Sequence, residues 1–179
     1  MAKVLYSVTM SLDGFIAGPG GDMSWMTEYL GPNPEIDELI ERIGALLVGR
    51  RTYDGDDPHK GDEGEGKAFG GGWEGPQFVV THDIPATAPP NTTFVDDFGT
   101  ALAQAKEAAG DKYVNVMGAS MGKQCLEAGQ LDEVLTLIAP VLLGDGVPLF
   151  DHPGGRNTKL ERLSVGQVPL ATSLWFKVV

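Results

Sequence analysis

The sequence predicts an α/β domain with a mixed sheet, and three observations carry that reading. Short β-branched and aromatic runs alternate with segments of helical period. Glycines stand where strands hand over to helices, as at Gly49 and Gly118. The C-terminal segment from Leu160 alternates apolar and polar residues as an antiparallel hairpin does. Strands interleaved with helices and then closed by antiparallel strands imply helices packed on a sheet that is mainly parallel.

The elements follow in order. The run from Val4 to Met10 is β-branched and aromatic enough for a buried strand. In "GPNPEIDELIERIGALLVG", Asn33 and Pro34 supply a cap and a first-turn proline, and Ile36, Leu39, Ile40 and Ile43 fall at helical spacing. Gly44 is expected to close that helix, with Ala45 to Val48 as the next strand. "QFVVTH" from Gln77 and "TTFVDD" after Pro89 and Pro90 read as further strands, and Asp97 to Ala109 as an alanine-rich helix stopped by Gly110. Tyr113 to Gly118 is a strand leading into the helix "SMGKQCLEAGQ", and Val134 to Leu143 reads as one long strand. The stretch Asp54 to Gly75, "DGDDPHKGDEGEGKAFGGGWEG", is glycine-rich and acidic, which predicts an insertion or lid that packs no core.

The chain has 179 residues, with no internal repeat and no break in composition; one domain over 1–179 is expected, large enough to hold a full-sized pocket. A formal net charge of -12, from 25 acidic against 13 basic residues, opposes nucleic acid as a partner. One cysteine, Cys125, allows no internal disulfide and no thiolate zinc site, which suits a reduced, cytoplasmic setting. No apolar run is long enough for a membrane span, and the N-terminus lacks the pattern of a secretory leader. His59, His82 and His152 are scattered without metal-ligand spacing. Cys125 reads as a small buried thiol inside a helix.

Two turns stand out as anion sites. In "LLVGRRTYDGDDP" a strand delivers Gly49, where backbone can approach a ligand; Arg50 and Arg51 follow, and Thr52 is placed to cap a helix. Forked guanidinium donors beside a helix N-terminus suit phosphate, although two solvated surface arginines would give the same string. In "VNVMGASMGKQ", Gly118 and Gly122 flank a strand-to-helix turn. It is not a Walker loop, because only three residues separate the glycines and Gln124 follows Lys123; the Rossmann fingerprint is also absent. Asp13, Asp54, Asp56 and Asp57 are either turn residues or carboxylates that orient a ligand and carry protons. A calcium loop would need a later bidentate glutamate that "DGDDP" lacks. Trp25 and Met26 either floor an aromatic pocket or pack in the core.

Together these segments resemble the dihydrofolate reductase-like superfamily, and within it the reductase domain of riboflavin biosynthesis, the RibD C-terminal domain. "VTMSLDGFIAG" is similar to that family's first strand and substrate loop. "LLVGRRTYDGDDP" combines a Gly-Arg-x-Thr phosphate motif with the later Asp-Asp-Pro of the riboflavin branch. "VNVMGASMGKQCLEAGQLDEV" resembles the cofactor-binding strand and helix, and "IAPVLLGDGVPLF" resembles the branch's Pro-x-x-Leu-Gly-x-Gly-x-x-Leu-Phe, the most specific of the four.

The resemblance implies a three-layer αβα dihydrofolate reductase-like fold with a central mixed, mainly parallel sheet and antiparallel C-terminal strands. It also implies NADPH as hydride donor and a homodimer. Gly49, Arg50, Arg51 and Thr52 would hold cofactor phosphates. Thr81 and His82 would meet the adenosine phosphate end, and Gly118, Ala119, Ser120, Met121 and Gly122 the pyrophosphate. Ser11, Asp13 and Trp25 would lie at the substrate, and Asp56 matches the family's active-site aspartate. Phe15 departs from the family, which commonly has a basic residue after "SLDG", and the helix carboxylate of a true dihydrofolate reductase has no secure counterpart. The function expected is NADPH-dependent reduction of a small heterocyclic or carbonyl-like substrate; the alternative is a non-catalytic dinucleotide- or pterin-binding module on the same fold.

Overall fold

The computed structural model describes all of residues 1–179. Eight strands form one sheet in the order β5-β4-β3-β6-β1-β7-β10-β9. They are β1 (Lys3–Ser11), β3 (Ile43–Gly49), β4 (Gln77–Val80), β5 (Thr92–Val95), β6 (Tyr113–Met117), β7 (Glu133–Ala139), β9 (Leu160–Val168) and β10 (Ala171–Val178), and β2 (Phe15–Ala17) pairs separately with β8 (Val147–Pro148). From β5 to β7 all neighbours are parallel, whereas β10 pairs antiparallel with both β7 and β9. The C-terminal ends of six strands therefore share one edge, the edge at which open α/β sheets hold ligands.

Side-chain alternation divides the core into the two faces of this sheet. Val4, Tyr6, Ala45, Leu47, Val114 and Val116 pack with Ala101, Leu102 and Ala105 of α3 (Phe98–Ala109) and with Met121 and Cys125 of α4 (Ala119–Glu127). On the opposite face Leu5, Leu46, Val48, Val79 and Leu135 pack with Leu39 of α1 (Pro34–Glu41). This is the three-layer αβα arrangement expected.

Local signals hold at several helix ends. Asn33 caps α1 through the amides of Glu35 and Ile36, and Asp97 caps α3 by accepting from Thr100 N at 2.7 Å. Four boundaries differ from the expectation. Gly44 lies within β3 rather than closing α1, because a β-carbon there would come within 2.7 Å of the Ala109 backbone; the glycine lets β3 pass under the end of α3. Ile43 accordingly belongs to the strand and not to the helical face. Thr52 lies inside the short helix α2 (Arg50–Tyr53), and Gly49 is its N-cap residue. The expected long strand to Leu143 stops at Ala139, where Pro140 opens a loop.

The glycine-rich stretch also packs more than expected. Ala68, Phe69 and Trp73 lie against the second face of the core, and Trp73 Nε1 donates to Ile43 O at 3.2 Å. Three apolar side chains are enough to anchor an otherwise polar segment, because each removes substantial area from water.

Candidate active site

The β3–α2 and β6–α4 turns meet at the sheet's C-terminal edge, because β3 and β6 are neighbours there. Gly118 has φ of +99°, and a β-carbon on it would run into Thr52 Oγ1. A β-carbon on Gly49 would lie 3.2 Å from Ser120 Oγ and 3.3 Å from Met121 Cγ. The two glycines thus allow the two turns to touch. No side chain caps α4; the Met121 and Gly122 amides turn back to Gly118 O at 3.2 and 3.1 Å, which leaves those of Ala119 and Ser120 without an acceptor beside α2. Ala119 is half-buried and Ser120 exposed, whereas Met121 and Gly122 are buried; Gly122 lies against the Tyr6 ring, where a β-carbon would come within 2.6 Å.

Arg50 is held from several sides. Its Nε is paired with Asp54 Oδ2, a guanidinium nitrogen donates to Asp83 O at 3.3 Å, and its Cζ lies 5.8 Å from the centre of the Phe94 ring. The Asp54 hydrogen bond raises the guanidinium pKa, keeping it charged. Arg51 is exposed and has no ion-pair partner. Thr81, buried at the end of β4, accepts the amide of Asp83 at 3.1 Å, and His82 beside it is exposed. Hence the structure gathers Gly49 to Thr52, Thr81, His82 and Gly118 to Gly122 along adjoining strand ends.

The remaining predicted residues form a second group. Ser11, fully buried, donates from Oγ to Asp13 Oδ1 at 2.6 Å and accepts the amide of Phe15 at 3.0 Å. That pair breaks β1 and redirects the chain into β2. Both carboxylate oxygens of Asp13 are occupied, since Oδ1 also accepts Leu143 N at 3.1 Å and Oδ2 accepts Gly144 N at 2.7 Å. These hydrogen bonds, the Ser11 hydroxyl first, hold its pKa below the ordinary carboxylate value. In this arrangement Asp13 latches the β7–β8 loop to the β1–β2 turn. The glycines of "LLGDGVPLF" serve the same contact: Gly144 has φ of +76°, and a β-carbon on Gly146 would collide with Ala17 O.

Asp56 lies beyond α2, exposed, and its Oδ2 accepts Met23 N at 3.0 Å. Trp25 is half-buried with its ring 6.2 Å from that of Tyr29, while Met26 is in the core. The Trp25 indole N–H is buried and has no acceptor. Sequence reading had no means of finding the Asp13–Gly144 latch or the Met23–Asp56 contact, each of which joins distant segments. The doubled glycine of "LGDG" was the one visible trace of the latch.

A mainly parallel sheet with helices on both faces, an antiparallel C-terminal pair and two adjoining strand-to-helix turns at the parallel strand ends define the dihydrofolate reductase-like fold class. The chain belongs to the RibD C-terminal domain family, whose family model matches residues 2–169. Among similar proteins, the uncharacterized protein YwjB of Bacillus subtilis (strain 168) is 25% identical, over 97% of this chain and 97% of that protein. A diaminohydroxyphosphoribosylaminopyrimidine deaminase/5-amino-6-(5-phosphoribosylamino)uracil reductase from Thermotoga maritima superposes with a TM-score of 0.70 at 19% identity, covering 99% of this chain and 57% of that one. The riboflavin biosynthesis reductase Rib7 of Saccharomyces cerevisiae superposes with a TM-score of 0.63 at 18% identity, covering 99% of this chain and 90% of that one.

Proposed function

We propose that the chain is an NADPH-dependent reductase of a small heterocyclic or carbonyl-like substrate, related in machinery to 5-amino-6-(5-phosphoribosylamino)uracil reductase. The observation that carries this reading is the meeting of the Gly49–Thr52 and Gly118–Gly122 turns. Two chain segments approach so closely that Gly118 has no room for an ordinary side chain and Gly49 has only a tight fit for one, and the uncapped N-terminus of α4 and two guanidiniums stand beside them. That donor set fits the phosphates of a dinucleotide, and forked arginines suit a 2'-phosphate in particular.

When bound, NADPH supplies a hydride, and the protein supplies position and electrostatics. Gly118, Ala119, Ser120, Met121 and Gly122 hold the pyrophosphate in this reading, and Arg50, Arg51 and Thr52, with Thr81 and His82, hold the adenosine phosphate end. Ser11 shapes the substrate side by turning β1 into β2, Asp13 keeps the neighbouring loop in place, and Trp25 offers an aromatic surface. Asp56 orients the substrate or supplies a proton. Its anchorage to Met23 N restrains the carboxylate while leaving it open to solvent.

A small molecule is the proposed partner, in the cytoplasm, with the chain acting as a homodimer. The edge strand β9 leaves one side of its backbone unpaired and exposes Leu163 and Val165, which a second copy could cover. No helix is long and apolar enough to cross a membrane.

Titration of the protein with NADPH and, separately, NADH, followed by tryptophan fluorescence, tests the cofactor assignment. Trp25 is the expected reporter, because Trp73 and Trp175 are tied to Ile43 and Glu133 away from the two turns. Saturable binding that prefers NADPH is expected, and binding of neither would overturn the reading. Tight NADPH binding with no oxidation by any compound in a broad ring panel would convert it to the non-catalytic module.

A further inference from the structure

Three chain segments form the rim on the substrate side, and they are stitched together. Residues 11–29 contact residues 54–58 through Met23 N to Asp56 and through Thr27 Oγ1 to Pro58 O at 3.3 Å. They contact residues 139–150 through the Asp13 latch, through Leu12 N to Val141 O at 2.8 Å and through Leu149 N to Gly14 O at 2.9 Å.

The distribution of charge over this rim is one-sided. No Lys, Arg or His occurs from Val4 to Glu41, from Asp54 to Pro58 or from Glu133 to Asp151. The same rim stretches carry Asp13, Asp22, Glu28, Asp54, Asp56, Asp57 and Asp145, and among these only Asp54 has an ion-pair partner, Arg50. Beyond Pro58, the His59 ring is packed against Gly70 and the exposed Lys60 follows it. The rim also exposes large apolar side chains on both sides of the latch, Leu12 at 64% and Leu142 at 68%.

An anionic group brought against these stretches would lose hydration without gaining a counter-charge from them, since their carboxylates remain negative while Asp13, Asp22, Asp56, Asp57 and Asp145 accept backbone amides. A neutral ring suffers neither effect and gains apolar contact. Discrimination against a wrong ligand by unpaired charge is as effective as added attraction toward the right one.

Resting on the reductase reading, we infer that the substrate of this site is a neutral ring compound without phosphate or carboxylate. This sets it apart from the phosphoribosylamino substrate named for the Thermotoga maritima neighbour. The cations nearest the rim, Arg50 and Arg51, belong to the cofactor turn, and Arg50 is already paired with Asp54 of the rim.

Equilibrium dialysis with matched ring pairs tests this: uridine against uridine 5'-monophosphate, and riboflavin against flavin mononucleotide, each with and without saturating NADPH. The neutral member is expected to bind at least about tenfold more tightly in one or both pairs. Phe15→Lys places a cation on the rim and is expected to improve binding of the phosphorylated member about tenfold. Asp22→Asn, at an exposed position where the amide oxygen can still accept Ser24 N, is expected to improve it several-fold. Equal or tighter binding of the phosphorylated members to the unaltered protein, or binding of neither neutral ring, overturns the inference. NADPH affinity read in the same samples reports separately on the reductase assignment, so loss of cofactor binding and a reversed charge preference are distinguishable results.

Discussion

Asp13 Oδ2 accepts the backbone N–H of Gly144 at 2.7 Å, joining the β1–β2 turn to the β7–β8 loop across most of the chain. With Leu143 N and Ser11 Oγ on Oδ1, the ionised carboxylate is the form that makes this latch. The folded pKa is lowered, so the native state binds fewer protons than the unfolded chain near pH 4. The latch therefore contributes fully above the ordinary carboxylate pKa of about 4, and its contribution is lost as pH falls through the lower folded value. Hydrogen exchange at the Leu143 and Gly144 amides is expected to lose protection on acidification, and in Asp13→Ala at neutral pH; unchanged protection in the variant would contradict the latch.

Gly118 is expected not to tolerate a side chain. Gly118→Ala puts a β-carbon into Thr52 Oγ1 at φ +99° and ψ 142°, costing about 1–3 kcal/mol in backbone strain alone. Thermal unfolding of Gly118→Ala, Thr52→Ala and the double variant measures the coupling. Partial recovery in the double variant is expected, since removing the hydroxyl relieves the collision but not the dihedral.

Arg50 and Arg51 are expected to govern cofactor choice. Replacing both by Ala should weaken NADPH by about 10- to 100-fold, as befits loss of charge-assisted hydrogen bonds to a phosphate, with a much smaller effect on NADH. Arg51→Ala alone should carry the larger share, because Arg50 is already committed to Asp54. Equal weakening of both cofactors, measured by fluorescence titration, would remove the 2'-phosphate assignment.

At the opposite edge of the sheet, buried Glu133 accepts from Tyr113 Oη at 2.9 Å, Trp175 Nε1 at 2.8 Å and Lys3 Nζ at 2.9 Å. Lys3 is largely exposed, so the ion pair is screened, and the two aromatic donors dominate. Tyr113→Phe is expected to cost about 1.5–3 kcal/mol in urea unfolding, the usual range for a hydrogen bond to a charged group. NADPH affinity should not change, because β7 alone separates this network from the strand ends by about 20 Å.

Cys125 is fully buried, and burial pushes its thiol pKa up to about 12. The native protein is expected to resist thiol reagents at pH 8, reacting only as fast as it opens. Rapid labelling of the folded protein would show that α4 does not seal this position.

Much of the architecture was determined by the sequence alone, because its causes are local. The β-branched and aromatic runs of Val4 to Met10 and Tyr113 to Met117, the Asn33 and Asp97 caps and the alternating C-terminal hairpin each depend on residues close in the chain. The strand-to-helix turns at Gly49 and Gly118 were legible for the same reason, and the order of the four motifs pointed to the family. What only the tertiary structure decided involves residues far apart. Gly44 looks like a helix stop and is instead the close approach of β3 to Ala109; Thr52 looks like a cap and is instead the neighbour of Gly118. Val141 to Leu143 look like strand and are instead the loop held by Asp13. Phe69 and Trp73 give an acidic, glycine-rich segment a place on the core. In each case a propensity written over a few residues yields to a packing or hydrogen-bond partner that folding brings from elsewhere in the chain.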